Sequence, residues 1–153
     1  MTGRAFAFAS AVTLAATLSS CATQQAGLPR DPNLTNENSA TVVVYRPHTR
    51  FHRANPELPF LYVNGQQVGK LAINSAIEIR VPVGEHALSM KEPVLFMPAY
   101  DSRQLALKAE PGKTYFVRYS REYGGVIPMA GGPQVLATTG FDIVPEELGR
   151  QRR

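Results

Sequence analysis

Apolar and polar residues alternate in short runs over most of the chain from Ala40 onward. In the run SAIEIRVP (residues 75–82), isoleucine or valine occupies every second position from Ile77 to Val81, and charged residues lie between them. A period of two is the spacing of side chains on one face of a β-strand. QLALKAE (104–110) and TYFVRYSRE (114–122) follow the same pattern. The alternation predicts strands that bury one face.

Turn-forming residues separate these runs. Asn64-Gly65 is the dipeptide most typical of a two-residue β-hairpin, because both positions tolerate a positive φ. Pro111-Gly112 marks a second turn. Two longer segments, 92–103 and 123–133, contain proline and glycine and are predicted as connections that carry large apolar residues.

No long helical period is present, so a parallel α/β fold is not expected. The pattern predicts an all-β domain, an antiparallel β-sandwich of about seven short strands, with a small barrel as the alternative. The segment VPEELGRQ predicts a short C-terminal helix that begins at Pro145.

The first 39 residues lack this alternation. Residues 1–20 contain Arg4 and then an apolar, alanine-rich stretch to Leu18, which is typical of a signal peptide and too short to span a bilayer of about 30 Å. Residues 22–39 are polar and predict a flexible tether with a reach of about 23 Å. The predicted organisation is a signal peptide (1–20), a lipidated cysteine and tether (21–39), the β-sandwich (40–148) and a basic tail (149–153).

Cys21, the single cysteine of the chain, follows Leu18 and two serines. The sequence LSSC resembles the lipobox of bacterial lipoproteins. The resemblance implies cleavage before Cys21, diacylglycerol on its sulfur and fatty acyl chains such as palmitate. Two or three chains hold a protein stably on a membrane, whereas one chain does not. The alternative is an ordinary secreted protein or a buried free thiol.

The residue after Cys21 is Ala22 rather than aspartate. By the sorting rule of lipoproteins, this resemblance points to the outer membrane, facing the periplasm. Removal of residues 1–20 lowers the formal charge from +4 to +3, because Arg4 is the only charged residue among them. The remaining charge is too small to predict a nucleic-acid partner, and the tail GRQRR is expected to be a solvated end.

Two family resemblances involve the predicted strands. The segment FLYVNGQQVGKL, followed by VPVGEHAL, resembles a PEGA-type hairpin module. Together with TVVVYRP and LALKAEPGKTYFVR, it resembles an uncharacterised family of bacterial lipoproteins with one small β-rich domain of unknown function. The second resemblance implies location and architecture, and it implies no activity.

Candidate chemistry is sparse. His48 and His52 are four residues apart, which is a metal-ligand spacing on a helix, but Pro47 favours a loop. We therefore predict no catalytic residue, metal or cofactor. The mixture of Arg50, Phe51, His52 and Arg53 is typical of binding surfaces and is the candidate partner-binding surface.

These observations favour a non-catalytic envelope lipoprotein. Its tethered periplasmic β-sandwich would bind another envelope protein or a cell-wall polymer, in an oligomeric state that the sequence leaves open. One alternative is a metal-dependent hydrolase that uses His48 and His52. The other is a structural or stress-related lipoprotein with unspecific binding.

Overall fold

The computed structural model describes residues 31–49, 57–94 and 97–151. Within these ranges the chain forms eight strands and one helix: β1 (Ser39–Arg46), β2 (Phe60–Val63), β3 (Gln66–Lys70), β4 (Ser75–Pro82), β5 (Gly84–Val94), β6 (Met97–Ala109), β7 (Thr114–Ile127), β8 (Gln134–Val144) and α1 (Glu146–Gln151). Eight strands replace the predicted seven, and the last four have 11 to 14 residues each.

The strands form two four-stranded sheets that pack face to face. Sheet A has the order β4-β1-β7-β8 and sheet B the order β3-β2-β5-β6. The predicted all-β sandwich is confirmed. Its description as antiparallel is wrong for one pair, since β1 and β7 run parallel from Thr41 opposite Thr114 to Tyr45 opposite Arg118. Alternation specifies which face of a strand is buried and says nothing about the direction of its neighbour.

The core lies between the sheets and consists of the alternating apolar positions. Val42, Ile77 and Val117 come from sheet A, and Leu88 and Leu107 from sheet B; all five are buried. Removing one such side chain costs roughly 2–5 kcal/mol, because the cavity left behind only partly closes. The buried faces predicted for β4 and β6 are therefore confirmed. β7 buries Val117 as predicted, but it also buries Phe116 on its other face.

The C-terminal helix covers part of the outer face of sheet A. There Val43, Tyr45 and Phe116 form a second apolar cluster, and a side-chain carbon at Gly149 would overlap the Phe116 ring. The helix confirms the prediction from VPEELGRQ and extends into the segment predicted as a basic tail. Beside it lies a groove of about 390 Å³ whose lining residues are Thr41, Val43, Glu78, Thr114, Phe116 and Arg150.

The Asn64-Gly65 turn joins β2 and β3 as predicted, with φ of 50° and 80°. The Asn64 carboxamide oxygen accepts a hydrogen bond from the Ala87 amide at 2.9 Å, and its nitrogen contacts His86 Nδ1 at 3.0 Å. The other ring nitrogen of His86 lies 2.8 Å from the Pro82 carbonyl oxygen. His86, near the start of β5, thus connects the β2–β3 turn to the end of β4.

The prediction of two connections is wrong for the described residues of 92–103 and for 123–127, which are strand, and it is confirmed for 128–133, which join β7 to β8. Chain segment 92–103 contains the end of β5 and the start of β6, and β7 continues through Gly125 to Ile127. Pro93 lies opposite Pro98 at a break in register, and a second break lies between Tyr123 and Gly125, whose φ is 124°. Pro93 and Gly125 thus mark irregularities within strands rather than their ends.

Candidate binding surface

β7 and β8 extend well beyond the end of β1. β1 pairs with β7 only as far as Arg118, and β7 continues for nine further residues to Ile127. We call the distal hairpin, residues 123–137, the β7–β8 ribbon; its pairs run from Tyr123 opposite Ala137 to Ile127 opposite Gln134. Because β1 and β7 are parallel, the ribbon lies at the opposite end of the sandwich from Ser39.

Large apolar side chains on the ribbon and its turn are exposed. The exposed fractions are 61% for Tyr123, 53% for Met129, 49% for Val126, 43% for Leu136 and 42% for Ile127. In the proximal half of the same strand, Val117 is fully buried. Scattered exposed apolar residues are normal in soluble proteins, whereas several on one hairpin make it a candidate interaction site.

The apolar side chains occupy both faces of the ribbon. Tyr123 lies opposite Ala137 of β8. Ala137 is four residues before Phe141 of the core, so the two positions share one face of β8. Tyr123 therefore lies on the core-facing side of the ribbon. The bulge at Gly125 returns Val126 to that face, while Leu136 and Ile127 belong to the other. Packing of one face against the sandwich would therefore leave the second face exposed.

Neither charge nor strand pairing protects the ribbon. The sequence from Tyr123 to Phe141 contains no charged residue. In the part of the chain that the structure describes, β8 pairs only with β7, and β7 beyond Arg118 pairs only with β8. From Tyr123 to the turn, neither edge of the ribbon pairs with a third strand among the described residues.

A polar cluster holds the two sheets together where the ribbon leaves the body. The Glu92 carboxylate of sheet B accepts hydrogen bonds from Tyr119 Oη at 3.2 Å and Arg121 Nη1 at 2.9 Å, both of sheet A. Arg46 lies next to it, with its guanidinium 6.0 Å from the centre of the Tyr119 ring. Arg46 Nη1 donates to the carbonyl oxygen of Glu57 at 2.6 Å. The cluster thus connects β1, β5 and β7.

Burial controls the protonation of this cluster. It raises the pKa of Tyr119 to about 12, and the nearby Glu92 carboxylate acts in the same direction. Burial also lowers the pKa of Arg46 from its ordinary value. The Tyr119 phenol therefore keeps its proton at neutral pH and remains a hydrogen-bond donor to Glu92. This arrangement fixes the base of the ribbon.

The residues predicted to be functional from the sequence are only partly described. Cys21, Arg50, Phe51, His52 and Arg53 lie outside the described residues, so the lipid anchor and the loop surface stay predictions. His48 is exposed just after β1. Within residues 31–49, 57–94 and 97–151, no three histidine, cysteine, aspartate or glutamate side chains are grouped to hold a metal ion.

Sequence reasoning missed the polar cluster. It noted the large apolar residues of 123–133 but missed that 123–127 is the end of a strand. A signal for the ribbon is present, since 19 consecutive uncharged residues from Tyr123 to Phe141 are unusual in a chain with 18% charged residues. No local pattern indicates that Glu92 meets Tyr119, which is 27 positions away.

Comparison with known proteins gives one match. Residues 36–134 match the family described as "Protein of unknown function (DUF2846)". The matched residues include most of the sandwich, from just before β1 to the start of β8. The chain belongs to the DUF2846 family. No curated protein and no solved structure matches it.

Membership of DUF2846 confirms the predicted resemblance to a family defined by a domain of unknown function, while the lipoprotein character of that family stays a prediction. The likeness to a PEGA hairpin stays a prediction. Among the described residues of this DUF2846 chain, no helix has the length and apolar character needed to cross a membrane.

Proposed function

We propose that this DUF2846 chain is a non-catalytic, lipid-anchored binding module of the bacterial envelope that presents the β7–β8 ribbon to a protein partner. The observation that carries the proposal is the exposure of Tyr123, Val126 and Ile127 on an uncharged hairpin. Large aromatic and aliphatic side chains form the energetic centre of most protein interfaces, and charged residues are depleted there.

The position of the ribbon agrees with an anchor at the other end of the molecule. The rise of about 3.3 Å per residue puts Arg46 about 23 Å from Ser39, and β7 adds about 30 Å from Arg118 to Ile127. The ribbon tip is then about 50 Å from the point where the tether enters the domain. A lipidated Cys21 on the outer membrane would therefore leave the ribbon extended into the periplasm.

The polar cluster supports presentation of a preformed surface. Glu92 bonds to Tyr119 and Arg121 across the two sheets, so the ribbon leaves the body in a fixed direction. A surface that is already ordered loses less conformational entropy when it binds than a flexible loop does.

The anchor is tested with Cys21→Ser in the full chain. We expect loss of labelled palmitate and release of the protein from the membrane fraction, because the sulfur that would carry the diacylglycerol is gone. Cys21→Ser protein that sediments with membranes as the wild type does would contradict the anchor.

The binding surface is tested by photocrosslinking in intact cells. A photoreactive residue replaces either Val126 on the ribbon or Lys108, an exposed position on the outer face of sheet B. We expect protein adducts from position 126 and none from position 108. Equal labelling from both positions, or none from position 126, would contradict the ribbon as the binding surface.

A further inference from the structure

The strands of the ribbon lack the residues that normally block an open sheet edge. Natural edge strands avoid association through lysine, proline or inward-pointing charge within the strand. The paired segments 123–127 and 134–137 contain none of these, and the two prolines nearby lie in the turn between them. The bulge at Gly125, another device that protects an edge, lies in β7 and not in β8. Arg103 of β6 donates to the Thr139 carbonyl oxygen at 2.8 Å. The part of the β8 edge before Thr139 is therefore open to another strand.

The chemistry of the edge restricts what can cover it. Insertion into lipid hydrocarbon would leave backbone N–H and C=O groups at the edges without hydrogen-bond partners, which costs several kcal/mol for each group. A strand of another polypeptide satisfies these groups. A highly charged strand finds no complementary charge between Tyr123 and Phe141, so the occupant is an uncharged, apolar strand.

The ribbon itself meets this description. Two copies can meet along β8 without like-charge repulsion, because the segment is uncharged. β8 is the outermost strand of sheet A in the described residues, whereas the other edge of β7 lies next to the end of β1. A two-stranded ribbon is marginal alone, and antiparallel joining of two copies gives a four-stranded sheet.

We infer that the β7–β8 ribbon pairs with the same ribbon of a second copy of this chain, β8 against β8, about a two-fold axis. The β8 segment Gln134–Thr138 is centred on Leu136, so the two Leu136 side chains lie near that axis. This inference rests on the proposed function, because it names the partner of the surface proposed there.

The test uses the full chain, expressed in the same cells with two different affinity tags. A photoreactive residue at position 136 should give a product of twice the chain mass that carries both tags. Leu136→Lys in both copies should reduce co-purification at least about tenfold, because like charges then face each other across the axis. Combining a Leu136→Lys copy with a Leu136→Glu copy should restore it.

The control is Lys108→Glu on the outer face of sheet B, which should leave co-purification unchanged. Circular dichroism of each variant shows whether it keeps its strand content. Adducts from position 136 with a chain of another mass, and none with a second copy, would overturn self-pairing while leaving the ribbon as a binding surface. Absence of all adducts from positions 126 and 136 would overturn both. Failure of the Lys–Glu combination to restore pairing would contradict the β8–β8 arrangement.

Discussion

The two halves of β7 differ in environment although they belong to one continuous strand. Val117 in the proximal half is fully buried, and Val126 in the distal half is 49% exposed. The proximal half has β1 on one side, β8 on the other and sheet B against its inner face. The distal half keeps only β8. The same residue type in the same strand therefore stabilises the fold in one place and is available for binding in the other.

The largest expected effect on the free energy of unfolding comes from making the same change, valine to aspartate, in each half of β7. Val117→Asp would bury an unpaired carboxylate in the core and should destabilise the domain by about 3–5 kcal/mol or unfold it. Val126→Asp should change the free energy of unfolding by less than about 0.5 kcal/mol, since the side chain is already half exposed. Urea unfolding of both variants measures the difference.

Val126→Asp should nevertheless weaken binding through the ribbon, because it puts charge on an apolar surface. Photocrosslinking from position 127 measures this effect separately from stability. Equal loss of stability in the two variants would show that the distal half is packed as tightly as the proximal half.

A smaller effect is expected where α1 covers sheet A. Gly149→Ala would place a methyl group in the Phe116 ring, so the helix must shift or undock, at a cost of about 1–3 kcal/mol. Gly131→Ala is the matched control, because nothing lies within 4 Å of the added carbon in the ribbon turn. Thermal unfolding of the two variants measures the difference; a neutral Gly149→Ala would contradict close packing of the helix.

A pH-dependent effect is expected at the base of the ribbon. The folded state raises the pKa of Tyr119 from 10 to about 12, so it favours the protonated phenol. The resulting contribution to the free energy of unfolding is fully present below pH 10. On the order of 2–3 kcal/mol is lost as the pH rises from 10 to 12. Tyr119→Phe lacks the titrating group and should lose less stability over this interval. Parallel urea titrations at pH 9 and 11.5 measure it; identical losses in both proteins would contradict the raised pKa.

The smallest effect on stability is expected at the predicted partner-binding surface that contains Arg50, Phe51 and Arg53. Joint replacement of these three residues by alanine should change the free energy of unfolding by about 0.5 kcal/mol or less per residue, as is usual for surface positions. It should weaken the capture of partners if this surface also binds.

Metal analysis of the wild-type chain tests the alternative function, a metal-dependent hydrolase. Near-stoichiometric zinc or manganese that is lost in His48→Ala/His52→Ala would favour the hydrolase over the binding module.

Local sequence patterns account for most of the fold. Alternation predicts the buried faces of β4 and β6 and the inner face of β7. Asn64-Gly65 predicts a hairpin turn, and Pro145 predicts the start of the C-terminal helix. Each of these signals extends over a few neighbouring residues and depends on backbone geometry and solvent exclusion, which act locally.

Tertiary structure decided the features on which the candidate site depends. The parallel pairing of β1 with β7 and the meeting of Glu92 with Tyr119 and Arg121 join residues that are 27 or more positions apart. The exposure of Val126 depends on how far sheet B covers the inner face of β7, since Phe141 is buried although its strand β8 has a neighbour on one side only. The apolar character of the ribbon can be read from the sequence, but only the packing of the two sheets determines that it remains uncovered.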